Sequence, residues 1–233
     1  MSDSNISVLV TGATSGIGQA IARGFAEAGN AVLAVGVGAI PVAETDLSYA
    51  ELDVRNGDAV KDLLTKLPGL KVLVNAAGII KRDAEHDPEV FQQVIDINLT
   101  GTMRVCAAAR PILTNNGGAI INIASMLSYF GGGLVPGYSA SKGGIAQLTK
   151  SLAIAYAPGG IRVNALAPGW IATPLTEGLH NDPARSQAIL GRTPMARWGT
   201  PQDLIGPALF LASAQAGFVT GSILNVDGGY AAM

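Results

Sequence analysis

Short runs of apolar, often β-branched residues alternate along the chain with longer segments that have the period of a helix. The apolar runs show little alternation of polar and apolar positions, which is typical of strands that are buried on both faces. Regular alternation of such strands with helices predicts an α/β fold with a parallel sheet and helices on both faces. We predict strands at 6–10, 31–35, 49–54, 71–75, 119–124, 162–165 and 223–226, and helices near 18–28, 58–67, 88–114, 139–156, 182–191 and 201–212.

The connection between the second and third predicted strands differs from the others. Only about a dozen residues separate Gly36 from Tyr49, and Pro41 interrupts them. A parallel crossover that contains a helix needs at least about 10–12 residues. We therefore predict that the helix of this crossover is truncated or absent.

The length of 233 residues allows one large globular domain or two small ones, and no linker divides the chain. Hydrophobic residues make up 48% of the chain and charged residues 14%, against roughly 25% charged residues in an average protein. Such a chain can bury a sizeable core and is not disordered. The net charge is −2 and the sequence has no basic segment, so we expect no nucleic-acid partner.

Metal ligands and targeting segments are not evident. Cys106 is the single cysteine, and His86 and His180 are isolated, so we predict no metal site and no disulfide framework. The apolar stretch 31–43 is shorter than the ~20 residues of a membrane span, and residues 1–5 lack the pattern of a secretory signal. We expect a cytoplasmic protein with no membrane partner, whose charge-poor surface favours an oligomer.

A glycine-rich turn follows the first predicted strand. Gly12, Gly16 and Gly18 lie between that strand and the first helix. Without Cβ atoms such a turn can be tight, and the helix N-terminus offers unpaired N–H groups to a pyrophosphate. The spacing Gly-x-x-x-Gly-x-Gly differs from the standard dinucleotide fingerprint, and it is not a P-loop. A purely structural turn is the alternative.

Tyr138 and Lys142 lie four residues apart and therefore on one face of the predicted helix. A free tyrosine has a pKa of about 10, and a neighbouring ammonium lowers that pKa because it favours the phenolate. Ser125 follows the strand at 119–124, and ligands of parallel sheets bind at the carboxyl ends of strands. A hydroxyl there can hold a carbonyl oxygen while Tyr138 protonates it. Isolated surface residues are the alternative interpretation.

Taken together, these motifs resemble the short-chain dehydrogenase/reductase family, and the resemblance covers almost the whole chain. It implies a single doubly wound Rossmann-type domain, a nicotinamide cofactor, and hydride transfer between an alcohol and a carbonyl carbon. Family members are usually tetramers, so a homotetramer is expected. The motifs that carry it are 11–18, Asn75-Ala76-Ala77-Gly78, Asn98, Ser125, Tyr138-x-x-x-Lys142, Pro168-Gly169 and Asp227-Gly228-Gly229.

The resemblance implies a role for each of these residues. Tyr138 resembles the general acid/base, Lys142 the residue that holds the nicotinamide ribose, and Ser125 the hydroxyl that orients the substrate oxygen. Asn98 resembles the asparagine that supports a water in a proton relay to Lys142; a structural amide is the alternative. The residues that the resemblance places along the cofactor are Gly12, Ser15, Gly16, Ile17, Gly18, Gly36, Asp53, Val54, Asn75, Ala76, Ala77, Gly78, Pro168, Gly169, Ile171 and Thr173, together with Tyr138 and Lys142.

The residues after the second strand favour NAD as the cofactor. Family members that bind NAD often carry an acidic residue there, and members that bind NADP often carry a basic residue there or just before the second glycine of the loop; this chain departs from both patterns. This chain has Gly36-Val37-Gly38 and Ser15 at these positions, and a 2′-phosphate normally needs an arginine or lysine. NADP remains an alternative because Arg55 could reach over from the third strand.

In the second half of the chain, the segments 125–130, 135–138, 182–185, 192–194 and 197–199 resemble those of the sugar-acid members of the family. This resemblance implies a small polar substrate. A sugar acid needs a cation for its carboxylate, and Arg82, Arg192 and Arg197 are the candidates. We predict that residues 173–200 form a flexible substrate lobe. The alternatives are an NADP-dependent 3-oxoacyl reductase and a nucleotide-binding protein without catalysis.

Overall fold

Seven parallel strands form one sheet in the order β3-β2-β1-β4-β5-β6-β7. The computed structural model describes residues 6–43 and 46–232, so residues 1–5 of the sequence analysis lie outside the described part. The strands are β1 (Val8–Thr11), β2 (Val32–Gly36), β3 (Leu47–Glu51), β4 (Val72–Asn75), β5 (Ala119–Ile123), β6 (Arg162–Pro168) and β7 (Ile223–Val226). The helices are α1 (Gly16–Glu27), α2 (Gly57–Thr65), α3 (Pro88–Ile95), α4 (Thr102–Asn116), α5 (Pro136–Tyr156), α6 (Glu177–His180), α7 (Pro183–Leu190) and α8 (Ile205–Ala212).

The central strands are buried on both faces, and this explains their continuous apolar sequence. Successive side chains of a strand point to opposite faces of a sheet. Leu73 of β4 accordingly packs in one hydrophobic cluster, while Val74 packs in a second cluster on the other face. Ile120 and Ile121 of β5 divide in the same way. The predicted α/β fold with a doubly wound parallel sheet is confirmed.

Two connections depart from a regular alternation of strand and helix. The described residues between β2 and β3, 37–43 and Asp46, contain no helix, as the shortness of this crossover predicts. The helix predicted at 88–114 is instead interrupted by a π-helical segment over Asp96–Gly101. Single π-turns inside helices often occur at functional sites, and this one carries Asn98.

The strand order reverses between β1 and β4, which pair in parallel with Thr11 opposite Asn75. In such sheets ligands bind in the crevice at the carboxyl ends of the strands where the order reverses. We therefore expect a ligand to bind at the loops that follow β1, β4 and β5. Within the described ranges, no helix is long and apolar enough to cross a membrane.

Candidate active site

The turn after β1 needs glycine at two positions. Gly12 has a φ of +64°, in the left-handed region that favours glycine. A Cβ atom on Gly12 would lie 2.5 Å from the backbone of Ala77 in the loop after β4. A Cβ atom on Gly18 would collide with the carbonyl oxygen of Gly12. The two glycines therefore allow β1, α1 and the β4 loop to pack closely.

The N-terminus of α1 opens on a cavity of about 400 Å³. The first N–H groups of a helix lack intrahelical partners and carry a partial positive charge. In the described structure the Ser15 hydroxyl does not cap this helix, so these donors suit the pyrophosphate of a dinucleotide. The residues lining this cavity, the cofactor cavity below, are Gly12, Ser15, Gly16, Ile17, Gly18, Ala76, Gly78, Ile123, Tyr138, Lys142, Thr173, Pro174 and Leu175.

Other residues predicted along the cofactor lie outside the lining of this cavity. The amide of Asn75 is buried and donates to Asn122 Oδ1 at 2.9 Å and to Cys106 Sγ at 3.2 Å. Its visible role is therefore to tie β4 to β5 and α4. The Asp53 carboxylate binds the Arg55 guanidinium at 2.6 Å. The remaining residues of this group are Gly36, Val54, Ala77, Pro168, Gly169 and Ile171, of which Gly169 lines a neighbouring cavity.

Ser125, Tyr138 and Lys142 are brought together by β5 and α5. Lys142 is only 5% exposed, and its Nζ donates to the carbonyl of Ile123, the last residue of β5, at 2.6 Å. The same Nζ lies 5.5 Å from the centroid of the Tyr138 ring. Ser125 starts the short helical turn after β5. The predicted tyrosine–lysine face of α5 therefore abuts the carboxyl end of the central strands.

Burial shifts the pKa values of both residues on α5. It lowers the pKa of Lys142 to about 8 because the ammonium has lost most of its solvation. Burial raises the pKa of Tyr138 above its ordinary value, and the hydrogen bond with Ser125 acts in the opposite direction. The negative charge of Glu85 raises the tyrosine pKa further. The net effect is a pKa of Tyr138 above that of a free tyrosine.

Asn98 joins three elements around the lysine. Its Oδ1 accepts from Ile79 N at 2.8 Å, and its Nδ2 donates to Ile79 O at 3.0 Å and to Ser141 Oγ at 3.1 Å. A Cβ atom on Gly78 would lie 3.3 Å from Asn98 Oδ1 and 3.9 Å from Lys142 Nζ. The amide thus has a structural function, and a side chain at position 78 would press on it.

A second cavity of about 340 Å³ lies on the other side of Tyr138. Ser125 and Tyr138 line it together with Arg82 and Arg192. We call it the substrate cavity. Tyr138 and Leu175 line both cavities, so the two spaces meet at the tyrosine. The sequence analysis did not name Leu175, because nothing in a single leucine signals its place between two cavities.

The three candidate arginines separate clearly. The guanidinium carbon of Arg192 lies 4.6 Å from the centroid of the Tyr230 ring at the substrate cavity. Arg82 reaches the same cavity from the segment after β4. Arg197 instead donates to both carboxylate oxygens of Asp203 at 2.8 and 2.9 Å and lies outside this lining. Of the predicted carboxylate ligands, Arg82 and Arg192 thus line the same cavity as Tyr138, whereas Arg197 does not.

Comparisons with known sequences and structures identify relatives of the chain. The family model described as enoyl-(acyl carrier protein) reductase matches residues 12–231. The 2-dehydro-3-deoxy-D-gluconate 5-dehydrogenases of Pseudoalteromonas atlantica and Bacillus subtilis are 41% and 42% identical; each match covers 95% of this chain and 94% or 93% of the relative. The crystal structure of a gluconate 5-dehydrogenase from Burkholderia cenocepacia in complex with NADP and tartrate is 33% identical, has a TM-score of 0.89, and matches over 98% of this chain and 96% of that chain.

The chain belongs to the short-chain dehydrogenase/reductase family. It is an oxidoreductase that acts on the CH–OH group of a secondary alcohol and uses a nicotinamide cofactor, NAD or NADP. The residues of the cofactor cavity fit that group. The N–H donors of the helix suit a pyrophosphate, and the glycine turn lets the cofactor approach the backbone closely. The buried ammonium of Lys142 suits the ribose.

The buried ammonium of Lys142 makes stability depend on pH. Its pKa is about 8 in the folded protein and about 10.4 in an unfolded chain, so the unfolded state binds more protons between these values. Wild-type stability therefore gains from Lys142 as the pH rises through this window. We expect Lys142→Met to be more stable than wild type at pH 7, with the difference shrinking between about pH 8 and 10.4.

Urea unfolding at several pH values measures this difference at one protein concentration. Lys150→Met is the matched control, because Lys150 is an exposed lysine of the same helix. Ionisation of Cys106 and of the tyrosines remote from Lys142 is common to all three proteins and cancels in the comparison, and the raised pKa of Tyr138 keeps its ionisation above most of the window. A constant difference between Lys142→Met and wild type across the window would contradict the buried charge.

Proposed function

We propose that the protein is an NAD-dependent dehydrogenase that interconverts a secondary alcohol and a ketone on a sugar acid. The observation that carries the proposal is the meeting of two cavities at Tyr138, one lined by the glycine turn and the other by two arginines. The dehydrogenases named above as relatives act on a sugar acid by their names. The tartrate held by the Burkholderia structure is itself a hydroxy acid.

In this proposal each residue of the site has one function. The nicotinamide, when bound, supplies the acceptor or donor of hydride. Tyr138 takes the proton of the substrate hydroxyl during oxidation and returns it during reduction. Ser125 holds the substrate oxygen, and Lys142 binds the ribose and stabilises the phenolate of Tyr138. Asn98 positions the Ile79 backbone and α5 through its side-chain amide, and the family resemblance adds a relay water between Asn98 and Lys142.

The end of β2 supports NAD rather than NADP. Val37 is 58% exposed and follows the buried Gly36, so this end of the strand presents no cation to a 2′-phosphate. Arg55, the cation that kept NADP open, donates Nε and Nη2 to the Asp53 carboxylate at 2.6–3.1 Å. A phosphate would have to compete with that ion pair. The Burkholderia relative holds NADP, so the proposal rests on the residues of this chain.

The substrate cavity supports a carboxylate-bearing ligand. Arg192 and Arg82 bring two guanidinium groups to a space that also contains the hydroxyls of Ser125 and Tyr138. The rest of the lining is largely apolar and includes Leu127, Phe130 and Leu134. The choice of a hydroxylated acid over an acyl chain, the substrate class of the alternative 3-oxoacyl reductase, therefore rests on the two arginines.

We also propose a homotetramer in the cytoplasm with residues 173–200 as a mobile substrate lobe. Phe218 is fully exposed, and Phe210 of α8 and Leu224 of β7 are partly exposed. Apolar groups of this size at a sheet edge favour contact with another subunit.

Thr173 lines the cofactor cavity and Arg192 the substrate cavity, so movement of the lobe formed by residues 173–200 would open and close both. We also propose that residues 1–233 form a single domain.

The function is tested by a spectrophotometric screen of sugar acids, 3-hydroxyacyl esters and neutral polyols with NAD and with NADP. We expect turnover of a sugar acid with NAD. Tyr138→Phe should bind the cofactor and lose turnover about 10²–10⁴-fold, because it lacks the group that transfers the proton. A Tyr138→Phe variant within tenfold of wild type would disprove the catalytic assignment, and preference for 3-hydroxyacyl esters with NADP would favour the alternative.

Arg192→Met tests the class of substrate. Loss of a hydrogen bond to a charged group typically costs 1.5–3 kcal/mol, so we expect kcat/KM for a sugar acid to fall about 10- to 100-fold. The kcat/KM for a neutral polyol should change little. Arg185→Met is the matched control, because Arg185 pairs with Asp182 on the exposed surface of α7. Equal losses for charged and neutral substrates would contradict a carboxylate contact.

A further inference from the structure

Glu85 is a buried carboxylate that the proposed chemistry does not use. It lies in a short helical turn, Ala84–His86, between β4 and α3 and is 1% exposed. Buried glutamates are rare unless they are paired. Both oxygens of Glu85 accept from backbone N–H groups: Oε1 from Lys81 and Oε2 from Tyr138, each at 2.7 Å. The carboxylate therefore binds the main chain of the residue that we assign to proton transfer.

The bond to Tyr138 replaces a missing helix cap. Tyr138 lies in the first turn of α5, where N–H groups have no intrahelical partner. The N-cap position is Val135, whose side chain has no hydrogen-bond acceptor. An anion at this end of a helix is favourable because it meets the positive end of the helix dipole. Glu85 thus supplies from a distant segment the cap that α5 lacks in its own sequence.

Gly137 permits the close approach of Glu85. A Cβ atom at this position would lie 3.3 Å from Glu85 Oε2 and 3.2 Å from Cδ2 of Phe91 on α3. Both distances are tighter than ordinary van der Waals contact, so a side chain here would press on the carboxylate. The glycine before the tyrosine therefore leaves the space that the carboxylate needs.

Two further bonds join the same pair of segments. Asp83 N donates to Leu134 O at 2.8 Å, and His86 Nε2 lies 2.9 Å from Gly133 O. The first segment carries Arg82, and the second, 131–135, forms another part of the substrate cavity. The contact between 81–86 and 133–138 thus connects one wall of the substrate cavity to the start of α5.

We propose that Glu85 is a positioning residue for the reaction: its carboxylate fixes the start of α5, and with it Tyr138, against the wall of the substrate cavity that carries Arg82. Glu85 touches the backbone of Tyr138 and no reacting atom, so it acts through the tyrosine. This inference rests on the proposed function of Tyr138 in proton transfer.

The charge of Glu85 gives the proposal a second, independent readout. The charged groups around Tyr138 are Lys142 on the same helix, Glu85 from the preceding segment, and Arg82 and Arg192 at the substrate cavity. Among these, Glu85 raises the pKa of Tyr138. Removing its charge should therefore lower the tyrosine pKa while the loss of the cap loosens its position. A residue that only stabilises the fold would change neither.

Glu85→Gln tests both effects, because it keeps the shape of the side chain, removes the charge and turns an amide N–H₂ toward a backbone N–H. We expect kcat for oxidation to fall about 10- to 100-fold, since small misplacement of a reacting group costs up to about 10²-fold. The inflection of the kcat–pH profile should move to lower pH. The NAD dissociation constant, measured by tryptophan fluorescence, should stay within about twofold, below the ~1.4 kcal/mol of a tenfold change.

Glu89→Gln is the matched control, because Glu89 is exposed in the first turn of α3; it should keep the wild-type kcat and pH profile. Glu85→Asp keeps the charge but shortens the side chain, so we expect a lower kcat with an unshifted kcat–pH profile. This variant tests the proposal even if Glu85→Gln fails to fold. Wild-type kcat in Glu85→Gln and Glu85→Asp would overturn the proposal. A loss of kcat matched by equal losses of NAD binding and of the helical circular dichroism signal would also overturn it, because that pattern indicates a residue that only stabilises the fold. An active Tyr138→Phe would instead overturn the proposed function itself.

Discussion

The buried ammonium of Lys142 is the constraint around which the site is organised. A lysine that loses its hydration needs compensating polar contacts, and here the described contact is the carbonyl of Ile123 at the end of β5. This contact holds the middle of α5 against the carboxyl end of the sheet. The same placement brings the Tyr138 ring next to the ammonium and leaves both side chains at the cofactor cavity. The ammonium of Lys142, which is costly to bury, therefore lies where a bound ligand can contact it.

The surroundings of Lys142 depend on small residues and on backbone contacts. Ser128 Oγ donates to the Lys142 carbonyl at 2.7 Å and ties the turn that contains Ser125 to α5. A Cβ atom on Gly144 would lie 2.7 Å from Leu99 of the π-helical segment. A larger residue at position 144 would therefore require the Leu99 side chain to move. These contacts fix the relative positions of Ser125, Asn98 and the tyrosine–lysine pair before any ligand binds, which is the preorganisation that catalysis requires.

Much of this arrangement follows from the sequence, because it depends on local patterns. Apolar runs located the seven strands within a few residues, and the spacing of Tyr138 and Lys142 placed both on one face of α5. The start of α5 was wrong by three residues, since the sequence predicted 139 and the helix begins at Pro136. Its cap comes from Glu85, which is distant in the chain. The π-helical segment was also not predicted, because its contacts are with distant parts of the chain. The side-chain amide of Asn98 forms hydrogen bonds with Ile79 and Ser141, which lie in separate elements.

The direct test of this account is the ionisation of Tyr138, followed by the ultraviolet difference absorbance of tyrosinate in wild type minus Tyr138→Phe. Burial keeps the tyrosine protonated in the free protein, so its pKa should lie above the ~10 of a free tyrosine. Saturating NAD⁺ adds positive charge next to the phenol, and the pKa should then fall. An unchanged titration with NAD⁺, or a free-protein pKa already near 7, would contradict the account.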